Sequence, residues 1–481
     1  MNIRLNSLSG GGAITQPREI FLSLPQSFKP SDYDRKKLRD LGVEILFVPD
    51  HLKLGESIVY CLNLACDFDE ELYILHGDTF FSTLDFMPDS LLVARVSESY
   101  NWAFLDSDFH TTESVTANNL ILAGAFAISH PRALIRHIVE RDYSFVDGLK
   151  AYSKDFAFHI IENNTWLDFG LITNYFHSKK IIGTQRVFNQ MAIEGWLYTK
   201  TSTWSKKIEA ECFWFENLPR ELLGYTPRFV KNAEGYGVEY LYNNTLAELF
   251  VFGNLPTYTW RKILESVQEF MRRLHSFKPT ANEICLSFDY KAKALQRLEE
   301  FARQHALSLE QPWRVNGRQF PSLLRILDVL DRYLCDKQEF SIIHGDFCFS
   351  NIMYDFRANM IKTFDPRGMD FKENISMYGD YKYDIAKLTH SVFGLYDFIV
   401  AGFYDCKFEG DSIECIIHGN QAIAQIQNVF LEIFSVDKEI YALVIHLFLS
   451  MLPLHNDSKT KQMAFFANAF RLYEEFFGDE I

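Results

Sequence analysis

The chain has 481 residues, 48% of them hydrophobic, with 44 Phe and 23 Tyr, which is enough for two or three domains and excludes a disordered polymer. Its net charge of −15 excludes a surface that coats nucleic acid, which needs a basic stripe. Nucleotide substrates stay open, because a few local cations hold their phosphates. The eight Cys are scattered without Cys-x-x-Cys pairs and read as buried, reduced thiols. The start, MNIRLNSLSGGGA, has no apolar signal core, so a cytoplasmic protein is expected.

In chain order, REIFLSLP, VEILFVPD, ELYILHGD and SLLVARVS are predicted strands. RKKLRDLG and SIVYCLNLACD are predicted helices between them. This alternation predicts a layered α/β sheet, mostly parallel. LILAGAFAIS is a further buried strand, and Pro131 opens a helix in PRALIRHIVE. The character changes near residue 185. WLYTKTST and GYGVEYLY are strand-like, flanking a helical KKIEAECFWFENL. From Thr257 the pattern is mainly helical, interrupted by a strand-loop-strand at residues 341–366 and resuming through Phe477. IYALVIHLFLSMLPL is shorter than the ~20 residues a membrane span needs, and it contains His446 and ends in Pro453. It reads as a buried helix, with no membrane insertion. Two domains are expected, 1–185 and 186–481, the second with a small lobe at about 186–255 and a helical lobe at about 256–481.

The stretch SIIHGDFCFSNIMYD carries Asp346 and, five residues on, Asn351, and the next short strand ends in Asp365 of FDPRG. A carboxylate and an amide oxygen converging at strand ends form a hard-oxygen site suited to Mg²⁺. Phosphoryl transfer to an alcohol needs that ion, and a carboxylate to orient the hydroxyl and take its proton. Asp346 is the expected base, with Asn351 and Asp365 the metal ligands.

His-Gly-Asp with Asn at this offset, then DPRG, preceded by MRRLHSF and followed by YDIAKL, resembles the aminoglycoside phosphotransferase and choline kinase families over about residues 190–480. The resemblance implies a bilobal, protein-kinase-like α+β domain using ATP and Mg²⁺. His344 and Arg367 fall within its matched motifs, and Asp384 is implied to support the catalytic loop. Lys200 is expected to contact the α/β-phosphates, with Glu211 as its ion-pair partner. Lys206 and Lys207 are rivals for the lysine role. Glu239-Tyr240-Leu241 is the expected adenine hinge, and Tyr240 and Phe252 read as core aromatics. No Ala-Pro-Glu signature of a protein kinase follows.

A second His-Gly-Asp, at residues 76–78, ends a predicted buried strand. Asp78 would then project from the carboxyl end of a sheet, where α/β folds bind ligands. Asp168, in TWLDFG, is a second candidate metal carboxylate. Gly55 and Ser57 are expected on a tight turn into a helix whose N–H groups approach a base or phosphate. These motifs resemble sugar-1-phosphate nucleotidyltransferases and imply a Rossmann-like layer sandwich using CTP or UTP. The sequence departs from that family in lacking its opening Gly-x-Gly-x-Arg loop and Lys-Pro; Gly10–Gly12 is either a phosphate-cradling remnant or a surface loop.

A kinase makes the phosphomonoester that a nucleotidyltransferase activates, so the fusion has a chemical logic. The motif set resembles proteins of bacterial capsule and lipopolysaccharide assembly. The acceptor could be a sugar, choline, ethanolamine or glycerol. Two alternatives stand beside this: a non-catalytic nucleotide- or sugar-binding first domain serving an active kinase, or a scaffold of a glycan-synthesis complex.

Overall fold

The computed structural model describes residues 19–65, 68–96, 104–105, 111–112, 119–182, 189–194, 196–202, 205–232, 235–280, 288–334 and 338–480. Gly10–Gly12 lies outside them. The chain divides into two compact units, Met1–Gly183 and Thr184–Ile481.

The first unit runs β1 (Ile20–Pro25), α1 (Asp32–Asp40), β2 (Val43–Val48), α2 (Leu54–Ala65), β3 (Leu72–Leu75), β4 (Thr79–Phe81), β5 (Ser90–Arg95), β6 (Phe104–Leu105), β7 (Thr111–Thr112), β8 (Leu120–Ile128), α3 (Pro131–Glu140), α4 (Phe145–Asp155), β9 (His159–Glu162), β10 (Trp166–Asp168) and α5 (Ile172–Ile182). Its six-stranded sheet has the order β7-β6-β8-β5-β9, with β3 also on β8. Adjacent residues of β5 and β8 go to opposite faces. Leu91, Phe126 and Ile128 pack with Leu134, Ile138, Leu149 and Tyr152 of α3 and α4. Leu92, Ala94, Ile121, Ala123 and Ala125 pack on the other face with Phe81 and Trp166. Burial on both faces is why these strands are continuous apolar runs.

The expectation of a mostly parallel sheet is corrected. β8 is antiparallel to β3, β5 and β6; among the described residues of this unit only β5–β9 and the separate β1–β2 pair are parallel. A continuous apolar run reports that both faces are covered. Direction is set by the connections, which hydrophobic period does not encode.

The second unit opens with β11 (Asn189–Glu194), β12 (Leu197–Ser202), α6 (Ser205–Asn217), β13 (Phe229–Lys231) and β14 (Gly235–Glu239). These strands form an antiparallel sheet of order β11-β12-β14-β13. α7 (Leu246–Val251), α8 (Thr257–Leu274), α9 (Tyr290–His305), β15 (Trp313–Val315), β16 (Arg318–Phe320) and α10 (Leu323–Asp331) follow. Then come β17 (Phe340–Ile342), β18 (Ile352–Asp355), β19 (Met360–Thr363), β20 (Tyr378–Asp380), α11 (Lys382–Val392) and α12 (Tyr396–Val400). The unit closes with β21 (Tyr404–Glu409), β22 (Ser412–Ile417), α13 (Ile423–Ile433), α14 (Lys438–Met451) and α15 (Lys459–Phe477). The arrangement is a mixed α/β, kinase-like one: a small sheet-rich lobe followed by a helical lobe.

One apolar core joins α6, β14, α8 and α13 to Phe347, Phe349 and Ile352. It therefore clamps the 343–351 loop between helices. A second packs α9, α10, α14 and α15 around Trp313. α14, the apolar stretch containing His446, is buried from Ala442 to Ser450. Burial pushes the His446 imidazole down to about 4, so it sits neutral in that core. Among the described residues no helix is long and apolar enough to cross a membrane.

The helical lobe also holds a four-stranded sheet, β16-β15-β22-β21, that the helical reading missed. Its signal was present. Asn316 and Gly317 both have positive φ, 49° and 79°, as an Asn-Gly hairpin turn of type I′ requires. The short, mixed-polarity flanks WRV and RQF lie below the length at which alternation is legible.

Candidate active site

The 343–351 loop is held by its backbone. Asp384, in the first turn of α11, accepts the N–H groups of His344 and Gly345, each at 2.8 Å, and is fully buried. His275, from the end of α8, reaches the same carboxylate at 3.4 Å. Gly345 has φ +76°, and a Cβ there would lie 2.7 Å from Arg367 Cβ, so only glycine fits. The Arg367 N–H donates to His344 O at 2.8 Å, tying the DPRG turn to the loop. Trp214 of α6 donates its indole N–H to Ile343 O at 2.8 Å.

His344 is fully buried. Burial pushes its pKa down against the pull of Asp384 and Asp346. The neutral ring has one donor and one acceptor. Its partners assign them: Nε2 donates to Phe364 O at 3.1 Å, and Nδ1 accepts the Asp346 N–H at 3.3 Å. His344 thus ties the loop at Asp346 to the strand end at Phe364.

Asn351 Nδ2 donates to Asp346 O at 2.8 Å and to Asp346 Oδ2 at 2.9 Å. Asp346 Oδ1 pairs with Lys387 Nζ at 2.8 Å. Asp365 holds φ +60°, the left-handed region that a non-glycine residue occupies at a cost. Its Oδ1 pairs directly with Lys200 Nζ. Lys200 also donates to both Glu211 oxygens, at 2.9 and 2.8 Å, and Tyr236 OH donates to Glu211 at 2.8 Å.

Lys200 is 2% exposed and Glu211 0%. Burial pushes the Lys200 ammonium down, but Asp365 and Glu211 outweigh it and hold it above its ordinary value. Burial, then the Asp365 charge, raises Glu211. Burial also works to raise Asp365, but Lys200 and Lys207 hold its carboxyl below the ordinary range. Of the rival lysines, Lys207 lies 3.6 Å from Glu211 and Lys206 3.9 Å from Glu373, both more exposed than Lys200.

Glu239 ends β14. Its N–H donates to Arg228 O at 2.9 Å, and Tyr240 N–H to Trp196 O at 2.8 Å, so two of the three expected hinge amides serve the sheet.

In the first unit, β4 and β10 pair with Thr79 opposite Asp168, and Phe169 N–H donates to Asp78 O at 2.8 Å. The two carboxylates meet over Gly170: a Cβ there would lie 2.6 Å from Asp78 Oδ2 and 3.3 Å from Asp168 Oδ1. Asp168 also accepts Gly170 N–H at 3.0 Å and Asn174 Nδ2 at 2.6 Å. Among the described residues no basic side chain pairs with either, and no group of three or more His, Cys, Asp or Glu is placed to hold a metal ion.

Gly55 and Ser57 are corrected. Both lie inside the first turn of α2, not on a turn before it. The Ser57 N–H is already bonded to Lys53 O at 2.9 Å. Glu56 accepts the Lys53 N–H at 2.7 Å, and a Cβ on Gly55 would lie 2.1 Å from Tyr143 O. The missing side chain makes room for the Tyr143 carbonyl of a neighbouring loop.

Lys387 was not anticipated as a partner of Asp346. The signal was its position three residues after Asp384, one helical turn on the same face. A second unanticipated support is Ser391, which accepts Phe349 N–H at 3.1 Å and hydrogen-bonds Asp397. Asp397 is 4% exposed, and burial pushes its carboxyl up to about 7. The folded state therefore binds a proton that the unfolded chain releases near pH ~4. Its contribution is fully present below that pH and is lost as pH rises towards 7. Asp397→Asn is expected to be stabilising relative to wild type at pH 8, by at most about 4 kcal/mol, and near neutral at pH 4. Thermal unfolding of both proteins across that range measures this; a constant difference would refute it.

Residues 239–397 match the phosphotransferase enzyme family. A search among curated proteins finds no match. Among solved structures, the chain is similar to a choline/ethanolamine kinase family protein of Mesorhizobium loti (13% identity, TM-score 0.35, 64% of this chain and 97% of that one). It is also similar to an ethanolamine kinase of Plasmodium vivax (11%, 0.33, 70% and 95%). An aminoglycoside phosphotransferase of Streptomyces rimosus is a third (15%, 0.35, 56% and 91%). The resemblance rests on the family match and not on these low scores: with residues 239–397 matched to that family around the loop just described, the second unit carries a phosphotransferase-like domain.

Proposed function

We propose that the second unit transfers the γ-phosphoryl group of ATP to the hydroxyl of a small molecule. The observation that carries this reading is the single cluster of Asp346, Asn351, Asp365, Lys200 and Glu211 around one loop. In this reading Asp346 takes the proton of the acceptor hydroxyl as its oxygen bonds to the γ-phosphorus. The bond from that phosphorus to the β–γ bridging oxygen breaks, and ADP leaves. Lys387 orients the Asp346 carboxylate. Lys200, fixed by Glu211, takes the α/β-phosphates, and Leu241 offers its amide to adenine.

Asp365 and Asn351 supply hard oxygens of the kind Mg²⁺ takes, and the nucleotide's phosphates would complete the set. When bound, the ion neutralises charge developing on the phosphoryl oxygens.

For the first unit the proposed role is nucleotidyl transfer from CTP or UTP to the phosphorylated product, with Asp78 and Asp168 as metal carboxylates. The product would be a building block of capsule or lipopolysaccharide type, as the motif resemblance implies. The paired carboxylates over Gly170 support this reading. That no basic side chain among the described residues pairs with them favours, as a second reading, a module that binds a nucleotide or sugar without catalysing.

Labelled phosphate transfer from γ-labelled ATP across sugars and small alcohols tests the kinase; no labelled product from any of them would overturn it. Pyrophosphate release from CTP or UTP with sugar phosphates tests the first unit. Asp78→Ala is expected to lower that release by about 10²-fold or more while leaving ATP consumption unchanged. Full release in the variant would remove Asp78 from the role, and no release in wild type would favour the binding module.

A further inference from the structure

Three cations stand beside Asp346. Lys387 of α11 pairs with it at 2.8 Å. Lys293, on α9, lies 3.7 Å from the centroid of the Phe371 ring and 5.7 Å from that of Tyr383. It donates to Tyr383 OH at 3.5 Å. The Arg367 guanidinium lies 5.1 Å from the same Phe371 ring, and Lys387 lies 5.9 Å from the same Tyr383 ring. Two aromatic rings are thus shared by three cations.

Asp346 balances one of these charges, that of Lys387. Among the described residues neither Lys293 nor Arg367 has a carboxylate within ion-pair distance. The Arg367 Nε–H donates to Met369 O at 3.0 Å. The nearby carboxylates are engaged elsewhere: Asp380 by Tyr290 at 2.9 Å, Glu439 by Lys382 at 2.5 Å, Asp370 by Asn374 at 2.8 Å. Arg297, the next cation along α9, has its own partner, Glu300, at 3.2 Å. Burial, then the charges of Arg367 and Lys387, pushes the Lys293 amine well below its ordinary value. Like charges held this way are relieved by an anion.

A cationic acceptor such as choline or an aminoglycoside would need the opposite arrangement: open aromatic faces and acidic side chains. Here the protein's own lysine lies over the Phe371 face. We propose that the acceptor alcohol carries an anionic group, a carboxylate or a phosphate, bound by Lys293 and Arg367, with Lys387 between that group and Asp346. The proposal rests on the kinase reading and narrows its substrate class.

The test uses the full chain with Mg²⁺ and γ-labelled ATP, and acceptors matched in skeleton: glycerate and glycerol phosphate against glycerol and ethanolamine, and a sugar phosphate against the free sugar. The anionic member of each set is expected to have the higher kcat/KM, and the carboxylate and phosphate arms identify the group. Lys293→Met, which keeps the apolar stem over Phe371, and Arg367→Met are each expected to raise KM for the anionic acceptor roughly tenfold or more, with kcat changed far less. Lys293→Arg is expected to restore it, as a merely structural role would not require. Preference for a neutral or cationic acceptor, or an unchanged KM in both variants, overturns the proposal. A second measurement separates it from the kinase reading: calorimetric titration of glycerate and inorganic phosphate into the ADP complex. If no acceptor is phosphorylated, the kinase reading fails. Binding of either anion that is lost in Lys293→Met but kept in Asp346→Asn, which leaves the nucleotide contacts intact, still supports the anion site, and absence of binding refutes it.

Discussion

Asp346→Asn is expected to lower phosphoryl transfer to the acceptor by about 10²–10⁴-fold, the range that general-base catalysis contributes. The substitution keeps the shape of the side chain and removes its charge. The amide cannot accept the hydroxyl proton, and it sits between Lys387 at 2.8 Å and the Asn351 amide at 2.9 Å, both of which donate to the carboxylate. One of those hydrogen bonds must therefore be lost. The Asp346 side chain is 34% exposed, so the fold is expected to tolerate the change, with stability altered by about 1 kcal/mol or less. The affinity for ATP, measured by nucleotide titration, is expected to change little, because Lys200, Glu211 and Asp365 are untouched. A variant keeping a third or more of the wild-type rate would remove Asp346 from the role of base.

Lys200→Met is expected to be costly in a different way. Lys200 and Glu211 are almost fully buried, and Lys200 also pairs with Asp365. Removing the one cation between two carboxylates leaves buried charge uncompensated, which costs about 3–5 kcal/mol in comparable pairs. Lys207, 3.6 Å from Glu211 and 30% exposed, offers partial screening only. The link also joins β12 to the DPRG turn, so its loss should loosen Asp365 from a backbone conformation that needs external support. Chemical unfolding of the variant measures the cost, and stability equal to wild type would contradict it. The double variant Lys200→Met/Glu211→Gln separates stability from chemistry. It should recover part of the lost stability, because the buried charge is gone, while nucleotide affinity stays low. Recovery of both would mean that the lysine serves only the fold.

Much of the site was legible along the chain. A loop of His-Gly-Asp, an Asn five residues on and an Asp closing the next short strand name their own residues, since short-range spacing and turn chemistry fix them. Lys200 and Glu211 were named through the resemblance, with Lys206 and Lys207 left as rivals because a strand boundary is not legible in sequence; burial of Lys200 beside Glu211 is what the tertiary structure adds. The burial of α14 was legible from a stretch too short to span a bilayer and apolar on every side.

The direction of the strands in the first unit was not legible. An apolar run covered on both faces reads the same in a parallel or an antiparallel partner, and the choice belongs to the chain's return path. Gly55 looked like a ligand cradle because a glycine before a helix has many uses; only the Tyr143 carbonyl beside it decides which one. Lys293, Arg367 and Lys387 come from three separate elements. Their convergence on Phe371, Tyr383 and Asp346 is a product of helix packing, which local sequence does not encode. Sequence alone therefore determined which residues the loop brings together, through spacing within a few residues. The tertiary structure alone decided which charges surround that loop, because electrostatic surroundings are set by contacts between segments distant along the chain.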